Sequence, residues 1–246
     1  MLPLIILTGP TGSGKSETAL ALARKLDTEI ISADSLQVYK YFDIGTAKPS
    51  LAVREEIPHH LIDILEPDEE FNAFDFKTRA LETIRELMSR DKIPIIVGGT
   101  GLYIKVLCED YDCAEGASPE IRDIIRQDIS DQGVEKVYQE LQRVDPEYAA
   151  KISKTDSLRI ERALGVYLDT GKRFSEFHEG DSPDYDRFQI HTFILNRDRA
   201  ELYSQINQRV DKMIEDGLPQ EAKSILDRGY NPELKPFKSI GYAQMI

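Results

Sequence analysis

The residues with the most evident chemistry are Gly9-Pro10-Thr11-Gly12-Ser13-Gly14-Lys15-Ser16, which fit the pattern G-x-x-x-x-G-K-[ST]. The glycines let backbone N–H groups converge on a phosphate at a helix N-terminus, Lys15 adds a point charge, and the Ser16 hydroxyl can ligate Mg²⁺. The substrate is therefore expected to carry a di- or triphosphate, and the loop does not say which. A motor or switch NTPase normally adds an acid at the end of a long apolar strand to organise Mg²⁺ and water. Here the best long strand, IPIIVGG, runs into Gly98-Gly99-Thr100, and the acid comes earlier, as Asp34 at the end of EIISAD. Carboxyl ends of strands line the ligand crevice of an open α/β sheet, so Asp34 and Thr100 are expected to face the loop, Asp34 as metal organiser or general base. The bland alternatives are an N-cap for Asp34 and an ordinary Gly-Gly-Thr-Gly turn for Thr100.

These groups need elements to hold them. LPLIILTG is a continuous apolar run ending in glycine, which suits a strand buried on both faces of a parallel sheet. SETALALARKL predicts a helix from Ser16 to Leu26, closed by Asp27-Thr28 ahead of the short strand EIISAD. Leu81, Ile84, Leu87 and Met88 sit at helical spacing between Asp75 and Arg90 and lead into the strand KIPIIVGGTG. Alternating strands and helices imply crossover connections and an α/β sheet. After Cys113 the pattern turns helical. Ser118-Pro119 and Asp145-Pro146 read as N-caps followed by proline at the first helical position, and Gly133 and Gly171 read as helix ends. GDSPDYDRFQ, residues 180–189, has linker composition, and IHTFILN reads as a returning strand. Leu202, Ile206, Val210 and Met213 then mark an amphipathic helix stopped by Gly217, and a shorter helix ends at Gly229. The expected organisation is an α/β core over 1–113, a helical insertion over 114–187 and the rest of the core over 188–246.

Composition sets outer bounds. With 31 Lys+Arg against 44 Asp+Glu in 246 residues the net charge is −13, which argues against coating nucleic acid through bulk charge. Local contact stays open because the charge is uneven. Residues 109–131 carry eight acids and two arginines, whereas 151–173 carry six basic residues against three acids, a modest cluster that can also be a solvated helix face. No apolar run approaches the roughly 20 residues that span a bilayer, and MLPLIILTGP has no basic n-region, so a cytoplasmic protein with no membrane partner is expected. Cys108 and Cys113 are too few for a disulfide framework and read as free thiols.

Taken in order, GPTGSGKS, ISADSLQVYK, FDIGTAKP, PHHLID, IPIIVGGTGLYIK, RIERAL and GYAQM resemble the tRNA dimethylallyltransferases, the bacterial-type tRNA isopentenyltransferases. The resemblance runs across nearly the whole chain. It implies a P-loop NTPase-like parallel sheet with an α-helical insertion. The implied activity is transfer of a dimethylallyl group from dimethylallyl diphosphate to the exocyclic amine of the adenosine just 3′ of the anticodon, releasing diphosphate with Mg²⁺ present. The phosphate loop would then hold a leaving group. Asp34, in the family's S-x-D-S motif, would be the general base, Thr100 would position the amine, and Arg209 matches a family arginine that contacts diphosphate. Ile206 and Val210, flanking Arg209, are expected to fix its helix against the core.

Contacts with the tRNA anticodon stem-loop, carried over by motif, would come from Asp34, Ser35, Leu36, Gln37 and Thr100. Arg122 in SPEIRD, Leu158, Arg159, Ile160, Glu161 and Arg162 in LRIER, and Lys238, Ser239, Ile240, Gly241 and Tyr242 in KSIGY complete the set. Arg159 and Arg162 are three apart and share a helix face suited to phosphates. A monomer is expected. Family chains usually continue past GYxQM into a basic helical segment, and this sequence stops at Ile246, which implies a truncated sequence or a weaker grip on tRNA. Two alternatives remain: a small-molecule or nucleoside kinase using the loop for ATP, and an adenylate isopentenyltransferase acting on a free nucleotide.

Overall fold

The computed structural model describes residues 2–108, 116–178 and 188–246. Two compact units emerge, Met1–Cys108 with Asp184–Ile246, and Glu109–Pro183. The expected boundaries at 113/114 and 187/188, the linker residues 180–187 and Cys113 lie outside the described residues.

In the first unit, β1 (Leu2–Thr8) is the apolar run read from the sequence, with Leu4 and Ile6 fully buried. It pairs in parallel with β4 (Ile95–Val97) on one side and along its whole length with β5 (Phe188–Ile194) on the other. β2 (Ile30–Ser32) pairs with β4, and the sheet order is β3-β2-β4-β1-β5, all parallel. This α/β architecture agrees with the sequence reading. Helix α1 (Lys15–Leu26) buries Ala19 and Ala23, one turn apart, against Leu7, Ile30, Ile57 and Ile95. It ends where Asp27 turns left-handed at φ 47°. Helix α3 (Ala73–Ser89) starts on a capping box of Asn72 and Asp75 and buries Phe76, Ile84 and Leu87, each worth roughly 1.5–3 kcal/mol. The Phe76 ring stacks on Tyr103 of α4 (Gly101–Cys108) at 4.3 Å between centroids.

α2 (Leu51–Glu56), capped by Ser50, the two-residue strand β3 (His59–His60) beside β2, and α4 escaped the sequence reading. The first two are too short to show a period. What holds β3 is an ion cluster. Glu29, 5% exposed, accepts from Arg90 Nη1 at 2.8 Å and Lys92 Nζ at 3.2 Å, and meets His60 Nε2 at 2.7 Å.

The second unit contains α5 (Pro119–Gln132), α6 (Val134–Val144), α7 (Pro146–Ala149) and α8 (Ser157–Thr170) around Ile125, Leu141, Ile160, Ala163 and Val166. The buried Asp145 caps α7 through Tyr148 N and also accepts from Ser175 N. Ser118 is the N-cap of α5 with Pro119 at its first position, as expected, but its hydroxyl bonds to Asp169 and makes no cap hydrogen bond. The basic stretch is largely offset by charge partners and rings. Lys151 pairs with Glu147, Lys154 with Glu135, Arg159 with Asp156 and Arg173 with Glu176, while Arg162 and Lys172 lie over Phe174 and Phe177. Among the described residues no helix is long and apolar enough to cross a membrane.

Burial alone would raise the Glu29 pKa, but the hydrogen bonds from Arg90, His60 and Lys92 outweigh it and hold the carboxyl at about 2, against 4.5 unfolded. That difference is worth on the order of 3 kcal/mol of stability, present above about pH 4.5 and lost as pH falls through about 2. Glu29→Gln is expected to lose about 2–3 kcal/mol in urea unfolding at pH 7, with the gap from wild type already narrower at pH 4.

Candidate active site

The loop between β1 and α1 is set by backbone contacts from a distant segment. Leu195 N donates to Thr8 O at 2.8 Å, and a Cβ on Gly9 (φ 139°) would lie 2.1 Å from Leu195 O, so only glycine fits there. Gly14, left-handed at φ 91°, is the N-cap of α1. Lys15 Nζ folds back to donate to Gly9 O and Pro10 O, both at 2.7 Å, and the Ser13 hydroxyl is buried without a partner. The strand ends opposite are equally crowded. Ala33 N donates to Val97 O at 2.7 Å, Gly98 N donates to Leu7 O at 3.2 Å, and a Cβ on Gly98 would meet Ala33 O at 2.0 Å.

This knitting delivers Asp34 to a cavity of about 390 Å³ whose wall includes Gly12, Gly14, Lys15, Ser16, Asp34, Gly98 and Gly99. Asp34 does both things the sequence allowed: it lines the cavity, and its Oδ1 accepts from Leu36 N (2.9 Å) and Gln37 N (3.3 Å). Thr100 follows Gly99 of the cavity wall and precedes α4. Its Oγ1 accepts from Ser35 N at 3.1 Å, so it braces the residue after Asp34 and keeps its own hydroxyl proton to donate.

Arg209 enters from α9 (Arg199–Glu215), whose start is capped by Asp198. Burial lowers the pKa of Arg209, with Asp34 pulling it back up. Lys15 is lowered by burial and by Arg209, again opposed by Asp34. Lys15, Arg197 and Arg209 thus share the cavity with the carboxylates Glu17 and Asp34, an excess of positive charge that suits an anion. Val210 corrects the sequence reading. It is 49% exposed, and α9 buries no residue fully, because the helix lies over the loop, where Gln205 Cβ and Ile206 Cγ1 come within 3.5 Å of a Cβ placed on Gly12.

The cavity lining also includes apolar side chains, Leu20, Val53 and Val97, with Ala47 and Pro49. His59 joins this wall; its Nδ1–H donates to Ile57 O at 2.6 Å, and burial pushes its pKa down, which favours the neutral ring. The segment carrying Thr46, Ala47 and Pro49 is clamped from far away. Glu221 of α10 (Leu218–Asp227) accepts from the backbone N–H groups of Asp43, Ile44 and Gly45 and from the Tyr242 hydroxyl. Gln37 Nε2 ties Thr46 O from inside at 3.1 Å.

The sequence reading missed Arg197 and Gln205 on the cavity wall. The rule that selected Asp34, that strand ends face the crevice, also points to the residues just after β5, where Arg197 sits.

The remaining motif residues are scattered. Leu158 is 75% exposed and Arg159 exposed at the start of α8, while Ile160 and Glu161 are buried, Glu161 against Arg126 at 2.9 Å. Arg122 lies in α5. Lys238 pairs with Glu233, Gly241 N donates to Gln244 Oε1, Ile240 is 92% exposed and Tyr242 is fully buried. Ser239 Oγ bonds Pro236 O.

A family model described as IPP transferase matches residues 37–246. A tRNA dimethylallyltransferase of Alkaliphilus metalliredigens is 46% identical over 244 residues, 99% of this chain and 78% of that protein. The full-length tRNA isopentenylpyrophosphate transferase of Bacillus halodurans is similar in structure at TM-score 0.65 and 36% identity, over all of this chain and 76% of that one. A eukaryotic dimethylallyltransferase described as acting on tRNA gives TM-score 0.81 at 32% identity, over 96% of this chain and 58% of that one.

If the loop cations form an anion site, inorganic diphosphate binding measured by calorimetry should weaken about 10²-fold in Lys15→Ala and at least tenfold in Arg209→Ala, with little change in unfolding midpoint.

Proposed function

The chain belongs to the IPP transferase family, and from that premise we propose that it transfers a dimethylallyl group from dimethylallyl diphosphate to the exocyclic amine of the adenosine 3′-adjacent to the tRNA anticodon. It would do so in the cytoplasm, as a monomer. The observation that carries the reading is a single cavity lined by Lys15, Arg197 and Arg209, by the apolar Leu20, Val53 and Val97, and by Asp34. A short branched alkenyl group on a diphosphate matches this mixture of cationic and apolar lining.

The loop amides, Lys15 and Arg209 bind the diphosphate and take up the charge that grows on it as the C1–O bond breaks. The electron pair leaves with the diphosphate oxygen. The apolar wall of Leu20, Ile30, Val53 and Val97 holds the allyl group and excludes water from the electron-poor carbon. The amine lone pair of adenosine bonds to C1, and the proton that the nitrogen sheds passes to the Asp34 carboxylate. Thr100 holds the turn after Asp34 in register through Ser35 N.

For Mg²⁺ the donor set is sparse. Ser16 offers one hydroxyl on the cavity wall, and the described residues contain no group of three or more His, Cys, Asp or Glu that could hold a metal. Such a set fits an ion that arrives with the diphosphate and takes most of its oxygens from it and from water, with Ser16 as the protein's contact. When bound, the ion offsets negative charge on the leaving group.

Exposing the adenine means unstacking it from the anticodon loop. Candidates for gripping the surrounding stem-loop are Ser35–Gln37, Arg122, Leu158–Arg162 and Lys238–Tyr242, through their exposed members.

The deciding assay supplies labelled dimethylallyl diphosphate and Mg²⁺ with either unmodified tRNA or AMP. Label in tRNA is the expected result. Label in AMP would favour the free-nucleotide alternative, and ATP-dependent phosphorylation of a small molecule with no prenyl transfer would replace the proposal with a kinase. Asp34→Ala is expected to cut turnover about 10²-fold or more while diphosphate binding stays within a few-fold of wild type; near-normal turnover would remove Asp34 from the base role.

A further inference from the structure

We infer that Arg197 is a second arginine clamp on the departing diphosphate, an inference that rests on the reading of the loop as a diphosphate site. Its backbone position is dictated by the sheet. β5 runs in register with β1 up to the pair Thr8↔Ile194, and the next residue, Leu195, is bonded to Thr8 O and packed on Gly9. Two residues further, Arg197 is carried to the rim of the loop.

The side chain then reaches back over the loop. Arg197 Nε donates to Ser13 O at 3.4 Å, and Nη2 lies 3.3 Å from the point where a Cβ on Gly14 would sit. Its guanidinium therefore lies above the turn that opens α1, where a bound phosphate meets the helix N-terminus. Among the described residues it makes no ion pair, and the long bond to Ser13 O leaves most of its five donors free. Lys15 and Arg209 occupy the same cavity, so a diphosphate seated on the loop would be met by three cations.

A planar fork can hold two oxygens of the terminal phosphate at once, which a lysine cannot. Breaking C1–O leaves its electron pair on the diphosphate and adds one negative charge there. A donor fixed at the rim favours that state over the bound ester, so Arg197 would contribute to turnover as well as to affinity.

The test compares Arg197→Ala and Arg197→Lys with wild type. The readouts are inorganic diphosphate affinity by calorimetry, kcat and KM for dimethylallyl diphosphate, and tRNA affinity by filter binding. For Arg197→Ala the expectation is about tenfold weaker diphosphate binding and a 10- to 10²-fold lower kcat/KM that includes a fall in kcat, with tRNA affinity within twofold. Arg197→Lys should recover part of the binding and less of the kcat. Unchanged diphosphate affinity in Arg197→Ala, or a loss confined to tRNA binding, overturns the clamp. A wild-type protein that binds diphosphate without prenylating tRNA overturns the prenyl-transfer reading alone, and the calorimetric comparison still decides Arg197.

Discussion

Like charges held together in a half-buried cleft are the constraint from which the rest of the site follows. Burial and the Arg209 charge lower the Lys15 pKa, and burial lowers that of Arg209, with Asp34 the carboxylate that opposes the shift in each. A cleft of this kind persists only if other parts of the fold hold each cation in place. Two backbone carbonyls hold Lys15, and the capped helix α9 carries Arg209. The unrelieved repulsion is what an incoming polyanion removes. Because the interaction is stronger at low effective dielectric than in water, the half-buried setting makes that gain larger than an exposed pair of cations could give.

Holding the cations demands rigid strand ends, and the fold meets the demand with backbone contacts in preference to side-chain packing. Gly9 against Leu195 and Gly98 against Ala33 allow approaches that any Cβ would block. These contacts bind the ends of β1, β2, β4 and β5 into one rim that carries the loop, Asp34 and the segment after β5. The segment leading to Thr46, Ala47 and Pro49 of the cavity wall is held differently. Glu221 gathers three consecutive backbone N–H groups, from Asp43 to Gly45, and the Tyr242 ring fills the space that a Cβ on Gly45 would need. The buried Tyr242 thereby serves the cavity from behind, and its hydroxyl pKa is pushed far up by burial and by Glu221.

This division explains what could be read from the sequence. The phosphate loop, α1 and β1 are contiguous, and each carries its own signal: a glycine pattern, a helical period, an unbroken apolar run. Asp34 was legible because strand ends have a known relation to ligands. The clamp of Glu221 on residues 43–45 was not, because it joins groups about 177 positions apart and a lone glutamate in a helix has no local mark. The strand β3 was missed because two residues cannot alternate. Val210 misled because a helical period marks a face and does not say how deeply it is buried. The basic stretch at 151–173 was visible as composition, yet nearly every member is satisfied by an acid or a ring that only the folded helices bring near.

The placement of Asp34 also bears on the kind of reaction the cavity suits. One carboxylate oxygen is engaged by Leu36 N and Gln37 N, which fixes the group's orientation and leaves a single face for the substrate. A carboxylate is a weak base, poorly matched to taking a proton from a neutral aromatic amine before anything else happens. It is well matched to a proton made acidic because its nitrogen has begun to bond to carbon. That order requires the C–O bond to weaken first, and weakening it is the task of cations gathered around the leaving group. A phosphoryl transfer on the same loop would place the phosphorus, and not an alkenyl carbon, at the reacting centre. The apolar surface of Leu20, Ile30, Val53 and Val97 would then face nothing it could stabilise. The cradle, the apolar wall and the weak base are mutually consistent only when the diphosphate departs and the carbon group stays.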